Sequence, residues 1–305
     1  MNNINTSSSY DRIYSQLEAG ESAVFEPYVD CVDHTVSRET FSLLRYNDLD
    51  MLITFPQPSK DDLPSYYESE DYISHTDSKR NLTENLYQKV KNHSLNRKLK
   101  LVNRIQGSTG SLLDIGCGTG DFLNTCKEGG WQVCGIEPNG KARSLAAQKL
   151  GKKDGLYSSL DELTQSQSQR FDIISLWHVL EHVPDLMTYI AEIKGLLNPN
   201  GVIVIAVPNY KSYDANYYGS DWAAFDVPRH LWHFSRDSIQ SIFSKFDLKV
   251  IKELPLVFDS FYVSLLSEKI KTGKPNFISA FYRGLRSNLL ARKSGEYSSV
   301  IYLIK

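Results

Sequence analysis

Between Leu112 and Leu123 the chain runs Leu-Leu-Asp-Ile-Gly-Cys-Gly-Thr-Gly-Asp-Phe-Leu, and no other stretch restricts the fold so tightly. An apolar strand carries a carboxylate, Asp114, near its end. Three alternate glycines, Gly116, Gly118 and Gly120, then turn the chain, and Asp121 and Phe122 open a helix. Glycine tolerates left-handed backbone and leaves room for a ligand, and the start of a helix presents unpaired N–H groups. The pattern therefore predicts a strand–turn–helix that cradles a nucleotide. A dinucleotide fingerprint requires G-x-G-x-x-G. Started at Gly116 or Gly118, that pattern places its third glycine on Asp121 or Leu123, so a nicotinamide oxidoreductase is disfavoured.

The rest of the chain alternates as a doubly wound parallel sheet requires. A helix from Phe122 to Glu128 leads to a strand at Trp131–Ile136 and then Glu137-Pro138-Asn139. Glu137 stands about 20 residues past the first glycine, where a carboxylate can accept both vicinal ribose hydroxyls. A helix at Lys141–Leu150, a weak strand at Gly155–Tyr157 and a strand at Phe171–Leu176 follow. Beyond a helix at Leu186–Leu197 and a turn at Pro199-Asn200-Gly201, the wholly apolar Val202–Val207 suits a strand covered on both faces. Two last strands, Phe246–Leu256 and Ser298–Ile304, flank a helical insertion at about 258–292.

Upstream, Phe41–Tyr46 and Met51–Phe55 around Asn47–Asp50 predict a hairpin, stopped by Pro56 and Pro58. A helix from about Lys79 to Ile105 bears an apolar stripe. Residues 1–105 are thus expected to form a hairpin module with a connecting helix, and 106–305 the main α/β domain.

The motif D-x-G-x-G-x-G resembles motif I of the class I S-adenosylmethionine-dependent methyltransferases. Trp177-His178-Val179-Leu180-Glu181-His182 resembles the HVLEH segment of that superfamily's bacterial small-molecule, ubiquinone-methyltransferase-like branch. The resemblance implies a Rossmann-like seven-stranded sheet with helices on both faces. It also implies S-adenosyl-L-methionine as methyl donor and S-adenosyl-L-homocysteine as product. Asp114, Gly116, Cys117, Gly118, Gly120, Asp121, Phe122, Glu137, Pro138, Asn139, Ser159, Leu160, Trp177 and His178 become the expected cofactor residues. The amino methyltransferases of nucleic acids and protein glutamine carry D/N-P-P-Y/F where this chain has Ser175-Leu176-Trp177-His178, so that chemistry is disfavoured.

The segment Asp221–Ser235 resembles a W-x-x-x-D-x-P-R-H-L-x-H-F-S stretch of the same branch. A histidine here can serve as general base toward a hydroxyl or carbon acid. His230, His233 and Arg229 are accordingly the catalytic candidates. Tyr66, Tyr67, Tyr72, His75, Trp222 and Asp226 are the candidates for substrate contact or a lid, with aromatic packing as the plainer alternative. Related proteins carry a zinc ribbon near Cys31-Val32-Asp33-His34, but no second ligand pair stands at Tyr46–Leu49, so no metal is expected.

Nearly balanced charges, with a net of −2, make no electrostatic case for nucleic acid or an anionic membrane, so neither nucleic acid nor membrane insertion is expected. No run approaches the roughly 20 apolar residues of a membrane span. Four cysteines, three of them around the glycine loop, do not make a disulfide framework, and a cytoplasmic protein is expected. The expected acceptor is a small or carrier-linked molecule methylated on oxygen. The alternatives are C-methylation of a nucleotide-linked sugar and a non-catalytic cofactor-binding or assembly module. The residues leave the oligomeric state open.

Overall fold

The computed structural model describes residues 13–17, 23–67, 82–151, 155–166 and 168–305, with the backbone alone for 82–89. Two of the expected substrate residues, Tyr72 and His75, lie outside the described residues.

After a helical stretch at 13–17 come three strands: β1 (Phe25–Val32), β2 (Thr40–Tyr46) and β3 (Met51–Phe55). The expected hairpin is present, with Tyr46 paired to Met51 and Ser42 to Phe55. Helix α1 (Leu82–Gln106) follows. Then come β4 (Ser111–Ile115), α2 (Asp121–Glu128), β5 (Gln132–Ile136), α3 (Gly140–Leu150), β6 (Leu156–Tyr157), α4 (Leu160–Ser166), β7 (Phe171–Trp177) and α5 (Leu186–Gly195). Strand β8 (Leu197–Pro208) starts earlier than expected, because Pro199-Asn200-Gly201 lies within the strand instead of turning. The last elements are α6 (Tyr213–Tyr218), β9 (Trp232–His233), α7 (Arg236–Ser244), β10 (Val250–Pro255), α8 (Asp259–Thr272), α9 (Phe277–Ser294) and β11 (Ser299–Ile304).

Seven strands form one sheet in the order β10-β11-β8-β7-β4-β5-β6. Strand β4 pairs in parallel with β5 on one side and with β7 on the other. The chain thus winds outward from β4 to β6 and returns across β4 to β7. That reversal opens a crevice at the carboxyl ends of β4 and β7, where ligands bind in open α/β sheets.

The chain divides into two compact units. One comprises 75–179, 191–205 and 303–305, and holds the glycine loop. The other comprises 1–74, 180–190 and 206–302. Strand pairing explains the composition of the second unit. The hairpin module is a four-stranded sheet, β1-β2-β3-β9, whose last strand comes from the histidine-rich segment. Leu52 pairs with His233, Ile53 pairs with Trp232, and Thr54 N–H donates to the Leu231 carbonyl. Cys31, Phe41, Leu43 and Leu52 share one buried cluster with Tyr210, Trp222, Phe225 and Val227. The module thus draws its core from both ends of the chain. Cys31, half of the ribbon-like pair, is part of that core, and burial pushes its thiol up to about 12.

Candidate active site

Within the glycine-loop unit, Asp114 is 3% exposed. The β4–β7 register sets Asp114 beside Ser175, whose hydroxyl donates to Oδ1 at 2.6 Å. Burial pushes the Asp114 carboxyl up to about 7, against the opposing pull of Ser175 and of the Lys98 ammonium. Ser175 was not among the expected residues. Parallel register could have revealed it, since it lies two positions before Trp177 on the strand next to Asp114.

The three glycines serve different ends. All have positive φ. A Cβ on Gly116 would lie 2.4 Å from Val179, and one on Gly120 would lie 2.9 Å from Ala146, so packing requires both glycines. A Cβ on Gly118 would meet nothing within 4 Å, so Gly118 borders open space. The N–H groups of Gly116 and Cys117 both donate to the Ile136 carbonyl, which ties the loop to the end of β5. Glu137 completes the turn: Oε2 accepts the Gly118 N–H at 2.9 Å, and Oε1 accepts the Asn139 N–H at 2.8 Å.

Other expected cofactor residues have structural duties. Asn139 caps α3, its Oδ1 accepting from Lys141 and Ala142. Pro138 is exposed. Asp121 is paired with Lys91 at 2.8 Å and with Lys149 at 2.6 Å. Ser159 accepts the Glu162 N–H at the start of α4, and Leu160 is buried. Phe122 meets the Trp177 ring edge-on at 5.6 Å, and the Lys98 ammonium lies 4.0 Å over the same indole. The buried Trp177 Nε1–H has no partner among the described residues. His178, just past β7, takes a left-handed backbone, φ 57°. Non-glycine residues pay for that geometry, and it recurs at functional sites. Together these features fit an adenosyl ligand. The loop is bare at Gly118, a carboxylate ends β5, a buried carboxyl ends β4, and an indole N–H awaits a partner.

The second unit gathers a different cluster. Arg229 is buried and grips Asp226 through Nε and Nη2, the latter at 2.7 Å. The same Nη2 reaches Asp33 at 2.9 Å, with the two side chains 2% and 0% exposed. Nη1 donates to the Tyr66 carbonyl. Burial alone would raise the Asp33 carboxyl. The N–H groups of Ser37 and Thr35 and the Arg229 guanidinium bring it down to about 2 instead. Asp226 is likewise lowered by Arg229 against its burial.

Three imidazoles lie beside this pair, and their hydrogen bonds distinguish them. Thr54 Oγ1 gives its proton to the His230 carbonyl at 2.6 Å, so it can only accept from His233 Nε2 at 3.0 Å. Burial drives His233 well below the usual histidine range, so it stays neutral. The His230 Nδ1 lies 2.8 Å from the Ala224 carbonyl, which can only accept. A proton therefore sits on Nδ1, and in the neutral ring the lone pair is on Nε2. His182 Nδ1 similarly meets the Arg229 carbonyl and the Tyr67 hydroxyl, each at 3.0 Å. Burial, with His230 adding to it, lowers His182 to about 4. The His182 and His230 rings meet edge-on at 4.5 Å. Glu181, His182 and His230 each offer a ligand atom, all within 4.8 Å of one another. Glu181 and His182 owe their interest to this geometry, which links them to a segment about 50 residues later in the chain.

Among the expected substrate residues, Tyr67 joins this cluster through His182. Tyr66 spends its hydroxyl on Glu39. Trp222 is buried, and its Nε1–H donates to Asp214 at 2.9 Å.

Residues 86–253, more than half of the chain, match the family model Methyltransf_23, described as a methyltransferase domain. The ubiquinone biosynthesis O-methyltransferase of Rhodopseudomonas palustris (strain HaA2) is 32% identical over 131 residues, 40% of this chain and 50% of that protein. Its counterpart from Bradyrhizobium sp. (strain ORS 278) is 31% identical over 146 residues, 45% of this chain and 55% of that protein. The chain thus spans about half the length of these curated relatives. Magnesium protoporphyrin IX methyltransferase from Synechocystis PCC 6803, solved with bound S-adenosylhomocysteine, superposes with a TM-score of 0.52 at 13% identity. That match covers 81% of this chain and 99% of the other, and it shows a shared fold. Among the described residues no helix is long and apolar enough to cross a membrane.

Proposed function

We propose, for a chain that belongs to the Methyltransf_23 family and is therefore an S-adenosylmethionine-dependent methyltransferase, that it methylates a hydroxyl of a small or carrier-linked acceptor. The bound sulfonium would supply an activated methyl group, so the protein's tasks are to align, exclude water and remove a proton. Asp114, ionised, holds the cofactor's amino group. Gly118 gives its backbone room, Glu137 accepts the ribose hydroxyls, and Trp177 and His178 wall the site. His230 would take the acceptor's proton on Nε2. The observation that carries this role is the His230 Nδ1–Ala224 contact, which fixes the tautomer with the basic nitrogen unencumbered. Arg229, whose guanidinium is engaged on all three nitrogens, and His233, whose Nε2 is held by Thr54, act as positioning residues. The O-methyltransferase names of the curated relatives favour oxygen as the acceptor atom.

Transfer of labelled methyl from S-adenosylmethionine to a panel of phenols and nucleotide-linked sugars tests this reading. Label in an ether on a phenol is expected, and label on a sugar carbon would overturn the O-methyl assignment. The tautomers of His182 and His230 also favour a second reading. A carbonyl partner on each Nδ1–H is the usual arrangement behind a metal-bound imidazole, and Glu181 would complete a two-histidine, one-carboxylate set. Calorimetric titration with Zn2+ decides between the two. One saturable site lost in His230→Gln supports the metal, and no heat supports the base.

A further inference from the structure

The hairpin of α8 and α9 is built inside out. Its buried positions are small or polar: Ser260, Ser264 and Ser267 on α8, and Ala280, Gly284 and Ser287 on α9. The helices approach so closely that a Cβ on Gly284 would lie 2.9 Å from the Phe261 Cα. Ser260 Oγ donates to the Gly284 carbonyl at 3.1 Å, and Asn288 donates to Ser260 at 2.8 Å. Small residues with hydrogen bonds across the seam are how helices associate when apolar side chains are needed elsewhere. Here the large apolar side chains point outward. Ile278 is 86% exposed, Phe277 69% and Phe281 61%, with Tyr282, Leu285 and Leu289 also exposed. At about 100° per residue, these six positions share one face of α9, roughly 140° wide.

The same segment is basic, with Lys271, Arg283 and Arg286 lying over tyrosine rings of α6 and Lys269, Lys274, Arg292 and Lys293 beyond them. From Lys269 to Lys293 the chain carries seven lysines and arginines and no aspartate or glutamate. The nearest acid on α8, Glu268, is buried and accepts from Tyr218 and Ser279. The net charge of −2 conceals this patch. We propose that the α8–α9 hairpin is an interfacial anchor that lays the Phe277–Leu289 face of α9 into an anionic phospholipid surface, with the flanking cations on the headgroups. An apolar face with aromatic residues, flanked by lysine and arginine, is the signature of such helices, and basic residues beside the bilayer add electrostatic attraction. A second copy of this chain fits less well, because a two-fold contact would bring the two basic patches together. The proposal does not depend on the acceptor or on methyl transfer.

Vesicle co-sedimentation of the whole chain tests it, using phosphatidylcholine alone and phosphatidylcholine mixed with phosphatidylglycerol. Binding to the anionic vesicles is expected, weaker on neutral ones and weakened by salt. The exposed triple variant Phe277→Ser, Ile278→Ser, Phe281→Ser is expected to lose roughly tenfold or more in partitioning. Its melting and its S-adenosylhomocysteine binding should match the wild type. No binding to either vesicle, equal binding to both, or unchanged binding by the triple variant would overturn the proposal. A wild-type dimer or a captured acidic protein that disappears in the triple variant, without vesicle binding, would also overturn it.

Discussion

Asp114 carries the most exacting prediction, because the fold keeps its carboxyl in an unfavourable place. Burial moves this group from 3.8 to about 7, with only Ser175 and Lys98 in opposition. At 1.36 kcal/mol per unit, the rise costs at most about 4 kcal/mol once the group is ionised. Between the two values the folded chain holds a proton that the unfolded chain has released. The wild type therefore loses stability as pH rises from about 4 toward 7, and the full cost is present above 7. In Asp114→Asn the Ser175 hydroxyl keeps its acceptor, and no charge is buried at any pH. The variant should gain on the wild type by about 2–3 kcal/mol more at pH 8 than at pH 5, of the total of about 4 kcal/mol. Urea denaturation of both proteins without ligand, at the two pH values, measures this. A stability difference that stays constant with pH would refute the buried-carboxyl account. The same variant should no longer bind S-adenosylhomocysteine, so its gain in stability would measure what the wild type gives up for its ligand.

Other outcomes follow from the same geometry. Wild-type affinity for S-adenosylhomocysteine should fall as pH drops below about 7, by up to roughly tenfold per pH unit, as Asp114 takes up its proton. Calorimetry at pH 6 and pH 8 reads this directly. Glu137→Gln should weaken that affinity by roughly 10- to 100-fold, the worth of a charge-assisted hydrogen bond, and an unchanged affinity would remove the ribose assignment. His230→Gln should lower turnover by roughly 10²- to 10⁴-fold at constant cofactor affinity. His233→Gln should leave turnover within a few-fold. Arg229→Met strands the buried Asp33 carboxylate and should cost about 3–5 kcal/mol in urea denaturation, with a loss below about 1 kcal/mol contradicting the ion-pair account.

The parts of the molecule that were legible in the sequence are those with local signatures. The glycine register, Glu137 at the end of β5, the apolar β8 and the helical insertion each depend on spacing within some 30 residues. The early start of β8 was hidden because Pro199-Asn200-Gly201 has turn chemistry, yet the strand runs through it. Asn139 illustrates a different difficulty. A polar residue after a sheet strand suits ligand contact and helix capping equally, and its two backbone partners identify the cap. The composition of the hairpin unit was hidden for a third reason. The pairing of Leu52 with His233 and the Arg229–Asp33 ion pair join residues nearly 200 positions apart, and no periodicity encodes such contacts. The basic patch on the α8–α9 hairpin was masked by summing charge over the whole chain.

The loop from Asp114 to Gly120, with Glu137, is the proposed seat of S-adenosylmethionine. Isothermal titration of the whole chain with S-adenosylhomocysteine, and separately with NAD, tests it most directly. A single saturable S-adenosylhomocysteine site is expected, absent in Asp114→Ala while that variant remains folded, with no heat from NAD. Binding of NAD alone, or S-adenosylhomocysteine affinity unchanged in Asp114→Ala, would contradict it.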